Sequence, residues 1–130
     1  MTKPSPVRLL SDYLATLANP EIMAAASRVP NVQMRLYNPL SSDVKPSPLV
    51  LARRTLFSLS TLNQRMHNKQ IVVDGSVAIC GGRNIENSYY HESPTKNYKD
   101  LEIVVRGPVV SEMSASFDTF WTSPLSQDVR

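Results

Sequence analysis

The sequence predicts an α/β domain in which helices flank a mixed β-sheet. Three observations carry that expectation. Short β-branched or alternating apolar runs recur at Val32–Tyr37, Ile71–Val73, Val77–Cys80 and Leu101–Val105. Segments of helical spacing stand among them, opened by Asn19-Pro20-Glu21 and by Gly107-Pro108. Strands alternating with helices pack as helices on a sheet. Finally, 130 residues at 42% hydrophobic content supply one core and no more, so residues 1–130 are expected to form a single domain.

Taken in order, Pro6–Ser11 reads as a short strand carrying Val7, Leu9 and Leu10, followed by a turn region. Asn19 can cap a helix, Pro20 suits its first position, and Glu21 complements its dipole. That helix runs through Ile22–Ala26 and stops near Pro30. In Val32–Tyr37, Val32, Met34 and Leu36 alternate with Gln33 and Arg35, the pattern of a strand with one buried face. Asn38–Pro48 is rich in Pro, Ser and Asp and reads as a loop. Leu49 to about Leu62 has helical spacing at Val50, Leu51, Leu56, Phe57 and Leu59, with Arg53 and Arg54 expected on a solvated face and phosphate steering the lesser alternative.

Ile71–Val73 and Val77–Cys80 form a hairpin around Asp74-Gly75, a pair that tolerates the positive φ such turns need. Ile85–Asn97 is polar and irregular, and its Tyr89, Tyr90 and His91 fall near the expected mouth of a site, where substrate contact and an ordinary loop role are both open. Leu101–Val105 returns to a strand, led in by Asp100. The last helix places Val109 or Val110, Met113, Phe117 and Phe120 or Trp121 on one stripe, which belongs in the core.

Bulk properties exclude several classes. The formal charge of +3, without a run of five like charges, rules out a polybasic tail and is equally compatible with phosphate-bearing partners and an ordinary solvated surface. The lone Cys80 cannot form an intrachain disulfide, and no thiolate zinc site can be built from it. The polar start lacks a signal-peptide core, and no apolar stretch matches a bilayer. The expected location is cytoplasmic or peripheral to a membrane.

His67 and Lys69, two apart on extended chain, leave the same face, and the hairpin returns Asn84 beside them. An imidazole, a cation and an amide donor on one patch suit an anionic phosphoryl group. Neutral imidazole is a competent nucleophile near neutral pH. Lys69 and Asn84 would stabilise the non-bridging oxygens, and Gly81 and Gly82 would let backbone approach them. Asp74 occupies a turn, where a structural part is the simpler one. The sequence offers no metal-ligand cluster, so neither metal nor cofactor is expected.

His67, Lys69, Asp74, Gly81, Gly82 and Asn84 reproduce, in one register, the His-x-Lys-x4-Asp-x6-Gly-Gly/Ser-x-Asn signature. A chance match in a chain this long is on the order of one in a million. The chain therefore resembles the phospholipase D superfamily. Gly where many members have Ser resembles the phosphatidylserine/cardiolipin synthase-like branch. The resemblance implies one motif-bearing half of a phospholipase D-like fold, with a phosphodiesterase or transphosphatidylase activity on phospholipids. It implies His67, Lys69 and Asp74 as catalytic residues, with Lys69, Asn84 and Gly82 binding the substrate phosphate. His67 would form a phosphohistidine or act as the matching general acid, and Asp100, rather than Glu102, would hold its other ring nitrogen.

Family sites combine two signatures, and this sequence has one. The second is expected from a homodimer partner or from a C-terminal half absent here, and the chain is expected to lack a first strand and helix before Val7. Two alternatives stay open: a dimeric single-motif nuclease acting on nucleic acid, and a catalytically incomplete fragment.

Overall fold

The computed structural model describes residues 5–18, 20–39, 47–49, 52 and 63–129. Its elements are β1 (Val7–Asp12), α1 (Tyr13–Ala18), α2 (Pro20–Ala26), β2 (Val32–Tyr37), β3 (Gln70–Val73), β4 (Val77–Gly81), a 3₁₀ turn (Asn87–Tyr89), β5 (Glu102–Arg106), α3 (Val109–Trp121) and β6 (Ser126–Asp128). The fold is α/β. Its described strands divide into two three-stranded sheets, β1-β2-β6 and β3-β4-β5, where one sheet was expected. The chain gathers into two compact units: the described residues of Met1–His67 with those of Thr119–Arg130, and Asn68–Asp118. The helical pattern over Leu49–Leu62 falls almost wholly outside the described residues.

In the first unit β1 and β2 run parallel, Val7 opposite Val32 and Asp12 opposite Tyr37, and β6 joins β2 antiparallel. Two parallel strands need a crossover, which α1 and α2 supply. Met34 and Leu36 are buried and Gln33 is exposed, as the alternation requires. Tyr13, Met23, Met34 and Leu36 form the core, with Leu9, Ala26 and Val129 packed against it. Each large side chain so buried contributes about 1.5–3 kcal/mol. Trp121 is buried under cations, with the Arg35 guanidinium 4.7 Å and that of Arg8 5.5 Å from its ring centroid.

Two elements of this unit depart from the sequence reading. The turn expected after Ser11 is helix α1. Asp12 explains it: its Oδ1 accepts from Leu14 N at 2.9 Å and its carbonyl from Thr16 Oγ1 at 2.9 Å, so one residue ends the strand and caps the helix. Strand β6 is polar and three residues long. Its pairing with β2 and the 2.9 Å bond from Arg35 Nε to Asp128 Oδ1 hold it there, and neither leaves a periodic trace in sequence.

In the second unit β4 lies between β3 and β5, antiparallel to both. Asp74 (φ 48°) and Gly75 (φ 61°) carry the positive φ values expected of the turn, and Ser76 N donates to Val73 O at 3.0 Å. Gln70, Ala78 and Val105 share one face by register. Gln70 Nε2 donates to the Met113 carbonyl at 3.2 Å, and Ala78 and Val110 are fully buried, which puts α3 over that face. Val110, rather than Val109, is therefore the core residue of the stripe. Ile71, Val73 and Val104, on the other face, are exposed. Strand β5 begins at Glu102, one residue later than expected.

Candidate active site

Antiparallel pairing decides where the signature residues fall. The start of β3, the end of β4 and the start of β5 meet at one end of the second sheet, because Gln70 pairs with Cys80 and Gly81 with Glu102. Gly81 N donates to Lys69 O at 3.3 Å, which carries the ladder one residue past β3. Lys69, Gly82, Asn84 and Asp100 thus collect at this end, on the segments leading into or out of the three strands. Lys69, Asn84 and Asp100 are half-buried. Asp74 is not with them: it is exposed in the turn at the opposite end, separated from Lys69 by all of β3, about 13 Å of extended chain.

Both signature glycines have close neighbours where a side chain would start. A Cβ on Gly81 would lie 2.7 Å from Glu102 Cγ and 2.8 Å from the Leu101 carbonyl, so its absence lets β5 close on β4. A Cβ on Gly82 would lie 3.0 Å and 3.2 Å from the two carboxylate oxygens of Asp100. The space on the Cβ side of Gly82 is thus taken by the Asp100 carboxylate. Asp100 Oδ1 accepts from Leu101 N at 2.8 Å, while its buried Oδ2 has no hydrogen-bond partner among the described residues. A carboxylate oxygen left in that state is suited to an N–H donor such as a histidine ring.

Asn84 is held by a neighbour that sequence reading left in an irregular loop. Its Nδ2 donates to Tyr89 Oη at 3.3 Å. Tyr89 sits in the 3₁₀ turn, its ring 5.0 Å from that of Tyr98, whose N–H donates to Ser88 O at 2.8 Å. Lys96 lies 4.7 Å over the Tyr98 ring, and its hydrogen bond to Tyr98 together with that residue's negative charge when ionised raises the ammonium pKa above its usual value. Arg83, inside the signature, approaches Glu102 at 3.7 Å and stacks 5.4 Å from the Tyr90 ring.

His67 is the exposed last residue of the first unit's leading segment. The backbone just before it is anchored by Asp12, a residue passed over in the sequence reading. Asp12 Oδ2 accepts from Met66 N at 3.0 Å and pairs with Arg65 Nε at 3.1 Å. Arg65 Nη2 in turn donates to the carbonyls of Tyr37 at 3.3 Å and Asn38 at 3.1 Å. The only advance signal was Asp12's place at a strand end before an apolar run, the mark of a cap.

Among the described residues no group of three or more His, Cys, Asp and Glu side chains is placed to hold a metal ion, and no helix is long and apolar enough to cross a membrane.

Comparison with known proteins adds a relationship. No family model matches the chain. It is 35% identical over 125 residues to cardiolipin synthase C of Escherichia coli, covering 93% of this chain and 25% of that protein. It is 34% identical over 74 residues to a cardiolipin synthase A of Pseudomonas putida, covering 55% of this chain and 15% of the relative. A cardiolipin synthase A of Pseudomonas fluorescens is 37% identical over 65 residues, 48% of this chain and 14% of the relative. The chain thus spans about a quarter or less of the length of these curated relatives. Over most of its length the chain is thus similar to one segment of a cardiolipin synthase.

Proposed function

We propose that this chain carries one half of a phospholipase D-type active site that transfers a phosphatidyl group, or hydrolyses it, at a phospholipid phosphodiester. The observation behind this reading is that Lys69 and Asn84, which follow His67 in the signature register, lie on segments that leave the same end of a sheet as the one carrying Asp100. An imidazole nitrogen of His67 attacks phosphorus, a P–N bond forms, and the P–O bond to the leaving alcohol breaks. A second histidine, supplied by another signature, protonates the departing alkoxide. It then takes the proton of the incoming alcohol or water as that oxygen displaces His67. Lys69 and the Asn84 amide neutralise charge on the non-bridging oxygens. Asp100 holds the ring proton of a histidine and so selects the tautomer that can attack. Asp74 shapes the turn.

The second signature comes from a homodimer partner or from a further part of a longer chain, with peripheral membrane contact giving access to lipid. The test is incubation of the purified protein with phosphatidylglycerol, phosphatidylcholine and single-stranded DNA, beside His67→Ala, with the oligomeric state measured by light scattering. Lipid turnover that disappears in His67→Ala is the expected result. DNA cleavage without lipid turnover would move the reading to a nuclease of the same fold. Silence on all three would mean that this chain is catalytically incomplete by itself.

A further inference from the structure

We propose that Tyr89 is a positioning residue for the phosphate-binding amide: by accepting one N–H of Asn84 it aims the other at a phosphate oxygen. This rests on the reading of Asn84 as a phosphate ligand. A carboxamide offers two N–H donors at a fixed angle in one plane, so engaging one fixes the direction of the other. An unrestrained asparagine would spread that second donor over several rotamers and lose freedom on binding. Here Nδ2 donates to Tyr89 Oη at 3.3 Å, and both side chains are half-buried.

Tyr89 is itself restrained. Its ring lies 5.0 Å from Tyr98 at a 36° tilt. Its backbone is held by Tyr89 N to Glu86 O at 2.9 Å, and the next turn by Tyr98 N to Ser88 O at 2.8 Å. The loop after the signature, polar and aperiodic in sequence, thus builds a rigid support five residues downstream of the residue it orients. The hydroxyl is the group that accepts from the amide, so Tyr89→Phe removes the acceptor and leaves the ring on Tyr98.

The experiment titrates inorganic phosphate into the full chain and follows the Asn84 side-chain amide in ¹H–¹⁵N spectra. Tyr89→Phe is expected to weaken phosphate about two- to tenfold, the worth of one hydrogen bond, and to shift the Asn84 side-chain proton resonances before any phosphate is added. In an Asn84→Ala background, Tyr89→Phe should weaken phosphate no further, because its effect passes through the amide. Loss of affinity in Asn84→Ala with none in Tyr89→Phe would overturn the positioning role and leave the phosphate reading standing. No loss in Asn84→Ala would sink the phosphate reading itself. An equal loss from Tyr89→Phe with and without Asn84 would assign the tyrosine some other partner and overturn the proposal. The wild-type spectrum is a check that needs no variant: one Asn84 side-chain proton should exchange with water more slowly than those of exposed asparagines, and equal rates would count against the bond.

Discussion

Adding one methyl group at Gly81 tests how the end of the second sheet beside Lys69 is closed. A Cβ there meets Glu102 Cγ at 2.7 Å, the Leu101 carbonyl oxygen at 2.8 Å and Glu102 Cα at 3.1 Å. Favourable carbon contacts lie at about 3.5–4.0 Å. Rotating Glu102 relieves the first clash. The other two involve backbone at the entrance to β5, and β5 is laddered to β4 through five residue pairs from Val77–Arg106 to Gly81–Glu102. The strands must therefore part at this end by roughly half an ångström or more. Overpacking of this kind costs about 1–3 kcal/mol. Because Gly81 is not among the positive-φ residues, alanine recovers about 0.4–1 kcal/mol by restricting the unfolded chain. The expected net loss is about 1–2 kcal/mol, read as a fall in thermal midpoint of roughly 3–10 °C by circular dichroism.

The control is Gly82→Ser. The nearest atoms to its Cβ are the Asp100 carboxylate oxygens, at 3.0 Å and 3.2 Å, and the new hydroxyl can donate to Oδ2. Stability should stay within about 0.5 kcal/mol of wild type. If Gly81→Ala melts with wild type while Gly82→Ser falls by several degrees, the account of which glycine closes the strands is wrong.

Other expectations follow from the same geometry. Asp12→Ala removes the partner of Arg65, the acceptor for Met66 N and the cap of α1, and should lower stability by about 3 kcal/mol in urea unfolding; a loss below half a kcal/mol would show that these bonds do not anchor the segment before His67. Lys69→Met and Asn84→Ala should each lower kcat toward a phosphodiester by about 10²–10³ with folding intact; an effect confined to KM would place them in ground-state binding alone. Asp74→Asn keeps a residue tolerant of positive φ and should leave turnover near wild type, whereas Asp74→Val should destabilise the turn by about 1–3 kcal/mol. A loss of activity in Asp74→Asn comparable to that of Lys69→Met would return the aspartate to the chemistry.

Features set by neighbours along the chain were legible without coordinates. The β-branched runs around Asp74-Gly75 specify a hairpin because alternation and turn chemistry act over a few residues, and the spacing of Val110, Met113, Phe117 and Trp121 specifies an amphipathic helix by the same short-range logic. The signature, too, is a local string, so His67, Lys69 and Asn84 could be singled out as a group. Only the folded chain decided what depends on residues far apart. The Asp12 carboxylate bonds across 54 positions to Met66, a three-residue polar strand is made by its pairing with β2, and the strands split into two sheets. Gly81 and Gly82 turn out to admit β5 and the Asp100 carboxylate, and Tyr89 folds back on Asn84 from a loop without periodicity. The physical reason is that hydrogen bonds and steric fits between distant segments depend on where the backbone carries them, while propensity and periodicity record only what each segment does with its own neighbours.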